Sequence, residues 1–200
     1  MSRKSQYPSF NVMNEKDEWD GHTQLIVSSR LESSVKFQFL TEHEVEMLRS
    51  ICSLLVDDAL PDALEYVISH IDRTLYSSPG EGQRKVGVPA APEYIRQGLA
   101  AFDRSSQLKY SATFAKLSAT EQKQLIQDIS VGRDHPAEVW NGIPQKDLFN
   151  KLMQLTVESY CSYPRVWSDI GYAGPAYPRG YVRTQLGQLD PWEAKAEHEA

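Results

Sequence analysis

The sequence predicts an all-α protein: a compact bundle of about five helices, with an irregular N-terminal arm and an extended C-terminal tail rich in aromatic residues, Pro and Gly. Apolar residues recur at helical spacing between Thr41 and Tyr160, two capping boxes mark helix starts, and strand-like alternation is confined to 24–39. We therefore divide the chain into an arm, a helical domain and a tail, at residues 1–38, 39–160 and 161–200.

Composition places the chain among ordinary globular proteins. It has 200 residues, of which 40% are apolar and 24% charged, which excludes general disorder and collagen-like repetition. A net charge of −6 argues against nucleic acid or an anionic membrane as the main partner. No stretch approaches the ~20 apolar residues that a membrane-spanning helix needs.

Cysteine usage favours a reducing compartment. Cys52 and Cys161 form no CxxC pair and no even-numbered series, so the sequence predicts no disulfide framework. The first residues are polar and charged instead of leading into an apolar stretch, as an export signal would. We therefore expect a cytoplasmic protein, or a periplasmic one if a leader has been removed.

The N-terminal arm carries the only strand-like pattern. Leu25-Ile26-Val27 is a short apolar run, and Val35, Phe37 and Phe39 alternate with polar residues. A short hairpin, an extended arm and a loosely packed segment that covers the core all fit this pattern.

The first bundle helix is predicted to begin at Thr41. Thr41 and Glu44 have the spacing of a capping box, in which each side chain binds a backbone amide of the other residue. An apolar stripe follows until Leu60-Pro61, where helical geometry is disfavoured. Cys52 lies on that stripe, which favours a buried small hydrophobe over a reactive thiolate.

The next two predicted helices flank a long loop. One begins at Asp62 and continues through Leu75, and the other spans Glu93 to about Tyr110. Between them, Ser77 to Pro92 is rich in Pro and Gly, which is typical of a functional or mobile connection. Gly98 costs helix stability and would allow a close contact between helices.

Two further helices complete the predicted bundle. Ser118 and Glu121 form a second capping box ahead of an apolar face. After a break from Gly132 to Pro144, a fifth helix is predicted over Asp147 to Tyr160.

The tail differs in kind from the bundle. Seven of the chain's twenty aromatic residues lie between Tyr160 and Trp192, interleaved with Pro and Gly that exclude a long regular helix. These rings need burial, and composition leaves two interpretations open. The tail either folds back over its own bundle or lies as an arm on another protein, since Tyr, Trp and Arg anchor interfaces.

Catalytic motifs are not visible in the sequence. The five histidines are scattered without HExxH or HxH, and GxSxG, GxGxxG and the P-loop pattern are absent. His70 and Asp72 are two residues apart and therefore point to different faces of their helix. We expect no catalytic, cofactor-binding or metal-binding residue on this chain.

The order and spacing of several segments resemble the gluconate 2-dehydrogenase subunit 3 family. The resemblance spans about Phe39 to Tyr181, most of the chain. It rests on short segments found in order along the sequence: Phe39–Glu44, Leu60-Pro61 with Ala63 and the helix from Val67 to Asp72, Tyr94–Asp103, Phe114–Ser118 with Gln122, Phe149 to Tyr163-Pro164, and Trp167–Tyr172 with Gly174-Pro175.

The resemblance implies a non-catalytic small subunit of a flavin-dependent sugar or glycoside dehydrogenase. Such a chain is no enzyme by itself and carries no cofactor. Its partner is a large FAD-binding subunit of the glucose-methanol-choline type, to which some complexes add an iron–sulfur cluster or an electron-accepting cytochrome. The alternative is a stand-alone maturation chaperone or escort that is absent from the final enzyme. A third interpretation, an enzyme in its own right, requires a pocket of converging polar groups.

The resemblance also shifts the interpretation of the tail and of the compartment. It favours the tail as the interface with the large subunit, with aromatic rings filling pockets and arginines pairing with acidic groups. Many family members resemble exported proteins with a twin-arginine signal, which is not visible here, and this favours an intracellular dehydrogenase. The expected partner-binding residues are Tyr163, Arg165, Trp167, Tyr172, Tyr177, Arg179, Tyr181 and Arg183.

Overall fold

The computed structural model describes residues 5–32, 36–77, 89–134 and 136–196. Within these ranges it contains α-helices, short 3-10 helices and no strand, which confirms the all-α prediction. The α-helices are α1 Gly21–Ser29, α2 Glu42–Val56, α3 Pro61–Ser77, α4 Ala91–Tyr110, α5 Ala119–Ser130, α6 Gln145–Tyr160 and α7 Pro164–Ile170. The 3-10 helices are Val12–Glu18, Phe114–Lys116 and Ala137–Trp140. Most of the predicted Ser77–Pro92 loop lies outside the described residues.

Both predicted capping boxes are present. The Thr41 amide donates to Glu44 Oε2 at 2.8 Å, and the Glu44 amide returns a hydrogen bond to Thr41 Oγ1 at 3.3 Å. Ser118 and Glu121 make the same reciprocal pair at the start of α5. These local bonds satisfy amides that the first turn leaves free, which is why α2 and α5 begin where the sequence places them.

Helices α2 to α6 enclose one apolar core. Phe102 lies at its centre, with ring centroids 5.6 Å from Phe114 and 5.8 Å from Trp140 in edge-to-face contact. A Cβ on Gly98 would lie 2.4 Å from Leu148 Cδ1, so Gly98 allows the close approach of α4 and α6. This confirms the contact role predicted for Gly98.

Cys52 is fully buried in this core, as predicted. Its Sγ lies 3.4 Å from Thr156 Oγ1, and burial raises the pKa of the thiol to about 11. The thiol is therefore protonated and unreactive at neutral pH.

Asp72 connects the start of the bundle to α3. Its buried carboxylate accepts hydrogen bonds from the amides of Gln38, Phe39 and Leu40 at 2.8 to 3.0 Å. Three donors compensate the burial of one charge, and they fix the segment that leads into α2.

The strand prediction for Leu25–Val27 is wrong, because these residues lie in α1. Asp20 caps this helix by accepting hydrogen bonds from the amides of His22 and Thr23 at 3.0 and 3.2 Å. The cap sets helical geometry one turn before the apolar run, and only Val27 of that run is buried.

The tail begins with α7 before it becomes irregular. Pro164 occupies the first turn of this short helix, where a missing amide costs nothing, and Gly171 ends the helix at φ +74°. The seven residues of α7 are compatible with the expectation that the tail holds no long helix.

The two ends of the chain pack together in what we call the terminal layer, residues 5–32 and 161–196. Trp19 and Trp167 form its small apolar cluster with Val12 and Val27. Gly174, at φ +82°, leaves room for the edge of the Trp19 ring. A Cβ at this position would lie 2.5 Å from Trp19 Cζ2. Hydrogen bonds from the Val12 amide to Ser168 Oγ and from Arg30 Nη1 to the Ser162 carbonyl add to the contact.

Among the described residues, no helix combines the length and apolar character needed to cross a membrane.

Candidate functional site

The aromatic residues of the tail fall into two groups, and the first is internal. Tyr163 is buried and stacks on Tyr66 of α3 at 4.8 Å between ring centroids. Trp167 is 6% exposed and donates from Nε1 to the Cys161 carbonyl at 2.6 Å. The structure therefore uses these two rings to fix the tail on its own chain.

The second group faces solvent. Tyr172, Tyr177 and Tyr181 are 44%, 71% and 64% exposed. Half of the large apolar side chains that are exposed in the described residues fall in this short part of the chain. We call them the tail surface: Ile170, Tyr172, Tyr177, Tyr181, Val182, Leu186 and Leu189. Exposed apolar side chains that are concentrated in one segment mark an interaction site more often than scattered single residues do.

Two rings of the tail surface are held by neighbouring groups. Tyr172 packs edge-on against Trp167 with centroids 5.3 Å apart, and the Arg183 guanidinium lies 5.3 Å from the centre of the Tyr181 ring. Burial against the layer raises the pKa of the Tyr172 hydroxyl. Rings that are already oriented lose less conformational entropy when a partner covers them.

The three tail arginines pair with carboxylates of their own chain. Arg179, with a side chain only 6% exposed, binds Glu15 at 3.2 Å and stacks on Trp192 at 4.9 Å. Arg183 binds Glu193 at 3.3 Å, and Arg165 lies 3.7 Å from Asp62. Arg165 and Arg183 remain about half exposed, whereas burial keeps Arg179 inside the layer.

Asp190 organises the last part of the tail. Its buried Oδ1 accepts hydrogen bonds from the amides of Val182 and Arg183 at 2.8 and 2.7 Å, and its own amide donates to Glu193. The resulting turn presents Leu186 and Leu189 to solvent. Sequence reasoning missed these leucines, although two apolar residues within a polar, Gly-containing turn were a visible signal.

A groove of about 680 Å³ between α1 and α3 has polar walls, and two of its carboxylates are held by partners within the chain. Asp72 binds three amides, and Glu65 binds Arg49 at 2.8 Å.

His70 Nδ1 hydrogen-bonds Ser159 Oγ at 2.9 Å, and burial together with nearby Arg73 and Arg30 lowers the pKa of this imidazole. His70 and Asp72 bind different partners, as their spacing predicts.

The described residues bring together no set of three or more His, Cys, Asp or Glu side chains that could hold a metal ion.

The chain is a helical scaffold with exposed apolar side chains along its tail, a feature that is typical of subunits that bind another protein. The model of the family described as gluconate 2-dehydrogenase subunit 3 matches residues 42–174, most of the chain. The chain belongs to this family, which is named for a subunit of a dehydrogenase complex. Comparisons with curated proteins and with solved structures return no match.

The family match ends inside the tail. Residues up to Gly174, which include α7 and the Trp19-binding glycine, lie within it, whereas most of the tail surface follows it. The match therefore includes Tyr163 and Trp167, and it leaves out Tyr177, Tyr181, Val182, Leu186 and Leu189.

Proposed function

We propose that this chain is the non-catalytic small subunit of a flavin-dependent sugar or glycoside dehydrogenase of the glucose-methanol-choline type. In this proposal it stabilises the large FAD-binding subunit by covering part of it with the tail surface. The supporting observation is the concentration of exposed aromatic and aliphatic side chains in the tail of a member of a dehydrogenase-subunit family.

The chemistry of the tail surface supports an apolar cleft as the receiving site on the partner. Arg179 and Arg183 are paired within the chain, and the exposed apolar side chains of the tail are mainly Tyr, Val and Leu. Tyrosine combines a large apolar ring with a hydroxyl that still finds a hydrogen-bond partner, and such residues often contribute ~2 kcal/mol or more each at an interface.

The redox chemistry in this proposal belongs to the partner. FAD, with an iron–sulfur cluster in some complexes, sits on the large subunit, where hydride transfer from a sugar hydroxyl takes place. An electron-accepting cytochrome is the proposed next acceptor. This chain contributes surface to the assembly and carries no cofactor.

Co-expression with the large FAD-binding subunit of the proposed complex tests the proposal. The variant replaces Tyr172, Tyr177 and Tyr181 together by Ser, and Tyr76→Ser is the control, because Tyr76 is 59% exposed on α3, outside the tail. Wild type and control should co-purify with a yellow flavoprotein, whereas the triple variant should lose at least 100-fold in affinity. Retention of full affinity by the triple variant contradicts the proposed interface.

The chaperone alternative is separated by size-exclusion chromatography of the active dehydrogenase. A subunit elutes with the flavin and with activity. An active flavoprotein that elutes without this chain contradicts the subunit proposal and supports a maturation role.

A further inference from the structure

A second groove lies where the N-terminal residues, the α2–α3 turn and α7 meet. Its volume is about 670 Å³. Apolar side chains from all three elements line it: Tyr7, Leu54, Val56, Leu60, Val166 and Ile170. Ile170 also belongs to the tail surface, so the groove and the tail surface share this residue.

Three carboxylates stand on this apolar lining: Asp57, Asp58 and Asp169. Asp58 is satisfied within the chain, because its oxygens accept from the Leu60 amide at 2.9 Å and from the Tyr160 hydroxyl at 2.7 Å. The carboxylates of Asp57 and Asp169 have no hydrogen-bond donor and no ion-pair partner among the described residues.

The charge on Asp169 is poorly compensated. Partial burial raises the pKa of its carboxyl, and the neighbouring Asp58 adds to the effect. Arg165 acts in the opposite direction but lies against Asp62 at 3.7 Å, and the lining residues Ser5, Gln6 and Tyr7 bring no cation. The groove therefore combines an apolar floor with an excess of negative charge.

We propose that this groove receives a segment of the large subunit that carries apolar side chains and an Arg or Lys, whose cation pairs with Asp169. The inference rests on the proposed function and adds the charge of the contact. The net charge of −6 on the whole chain also favours a partner with a basic surface. The tail surface and the groove would then form one interface, apolar along the tail and charge-paired at its edge.

The test measures the affinity of the full chain for the purified large flavoprotein at low and high NaCl concentration. Asp169→Asn, alone and with Asp57→Asn, should weaken binding about tenfold at low salt and flatten the salt dependence. Glu138→Gln, which removes an exposed carboxylate away from the groove, is the control and should change neither.

Thermal unfolding of the free chain gives an independent readout. Because ionised Asp169 is disfavoured where it lies, Asp169→Asn should leave the melting temperature unchanged or raise it. A residue needed only for folding would instead lower the melting temperature. Weaker binding by a variant of equal or higher stability is the result we expect.

Each other outcome overturns the inference. Unchanged affinity and salt dependence in Asp169→Asn, with loss of binding in the tail variant, removes the groove but keeps the proposed function. A wild-type chain that binds no flavoprotein removes both. Arg3 and Lys4 precede the lining residue Ser5 in the sequence. If both Asp169→Asn and the Arg3→Gln/Lys4→Gln variant melt at a lower temperature than wild type, the groove would be assigned to the N-terminal residues of the chain itself. Self-association that Asp169→Asn abolishes would assign it to a second copy.

Discussion

The helical bundle and the terminal layer are held together in different ways. The bundle shares one continuous apolar cluster across α2 to α6. The layer has only a small cluster of its own, a second one that packs Tyr163 and Val166 on α3, and individual hydrogen bonds. Apolar area dominates folding stability, so the bundle should persist when the layer opens. The part of the chain with the smaller apolar clusters is therefore also the part that exposes the tail surface.

Phe102→Ala should have the largest effect, because it removes the ring at the centre of the bundle. A buried Phe replaced by Ala typically costs ~3–5 kcal/mol, through lost burial and the cavity left behind. Phe102 is 1% exposed, whereas Leu108 on the same helix is 63% exposed. Leu108→Ala is therefore the control, with a change within ~0.5 kcal/mol in denaturant unfolding. Equal effects of the two variants would contradict the placement of the core.

Gly174→Ala should open the terminal layer without unfolding the bundle. The new Cβ would lie 2.5 Å from Trp19 Cζ2 at a φ of +82°, so clash and backbone strain act together, at roughly 2 kcal/mol. Hydrogen exchange should increase in residues 5–32 and 163–174 and stay unchanged in α2 to α6.

Gly187→Ala provides the matched control for this prediction. Gly187 has φ +79° but open space around the position of a Cβ, so Ala brings strain without a clash. It should leave the Trp19 contact intact. Global unfolding by Gly174→Ala would show that the two regions form one cooperative unit.

Acid should weaken the contact between α3 and α6 through His70. Burial lowers the pKa of its imidazole in the folded chain, so the unfolded chain binds the proton more readily. The contribution of His70 to the free energy of unfolding should be fully present above pH ~6.5, the ordinary pKa of histidine in an unfolded chain. It should fall as the pH drops through the lower pKa of the folded chain. Melting temperatures at pH 7.5 and 5.5 should differ more for wild type than for His70→Gln. Identical pH dependence in the two proteins would contradict this assignment.

The smallest effect is a difference in cysteine labelling. Cys161 is exposed in the terminal layer, whereas Cys52 is buried in the bundle with a pKa raised to about 11. Iodoacetamide at pH 8 should modify Cys161 alone in the native chain and both cysteines in guanidinium chloride, as read by mass spectrometry. Native modification of Cys52 would indicate that the bundle opens more readily than its packing implies.

Sequence reasoning was accurate where local signals determine structure. The capping boxes at Thr41 and Ser118, the buried stripe with Cys52 and the close contact at Gly98 all follow from residues within a few turns of one another. The order of short segments also led to the correct family.

The terminal layer depended on contacts that no local pattern reveals. Arg179 pairs with Glu15 across 164 residues, and Gly174 accepts Trp19 from the other end of the chain. Helices α1 and α7 are too short for a clear apolar stripe. For the same reason the sequence could not divide the tail aromatics into internal and exposed groups.

Hydrogen exchange of this chain, free and in complex with its large flavoprotein, reports whether the partner covers the tail surface. We expect new protection between Ile170 and Leu189 and along the groove at Asp57 and Asp169, with little change in α4 and α5. Protection confined to the bundle, with the tail surface exchanging as in the free chain, would contradict the proposed interface.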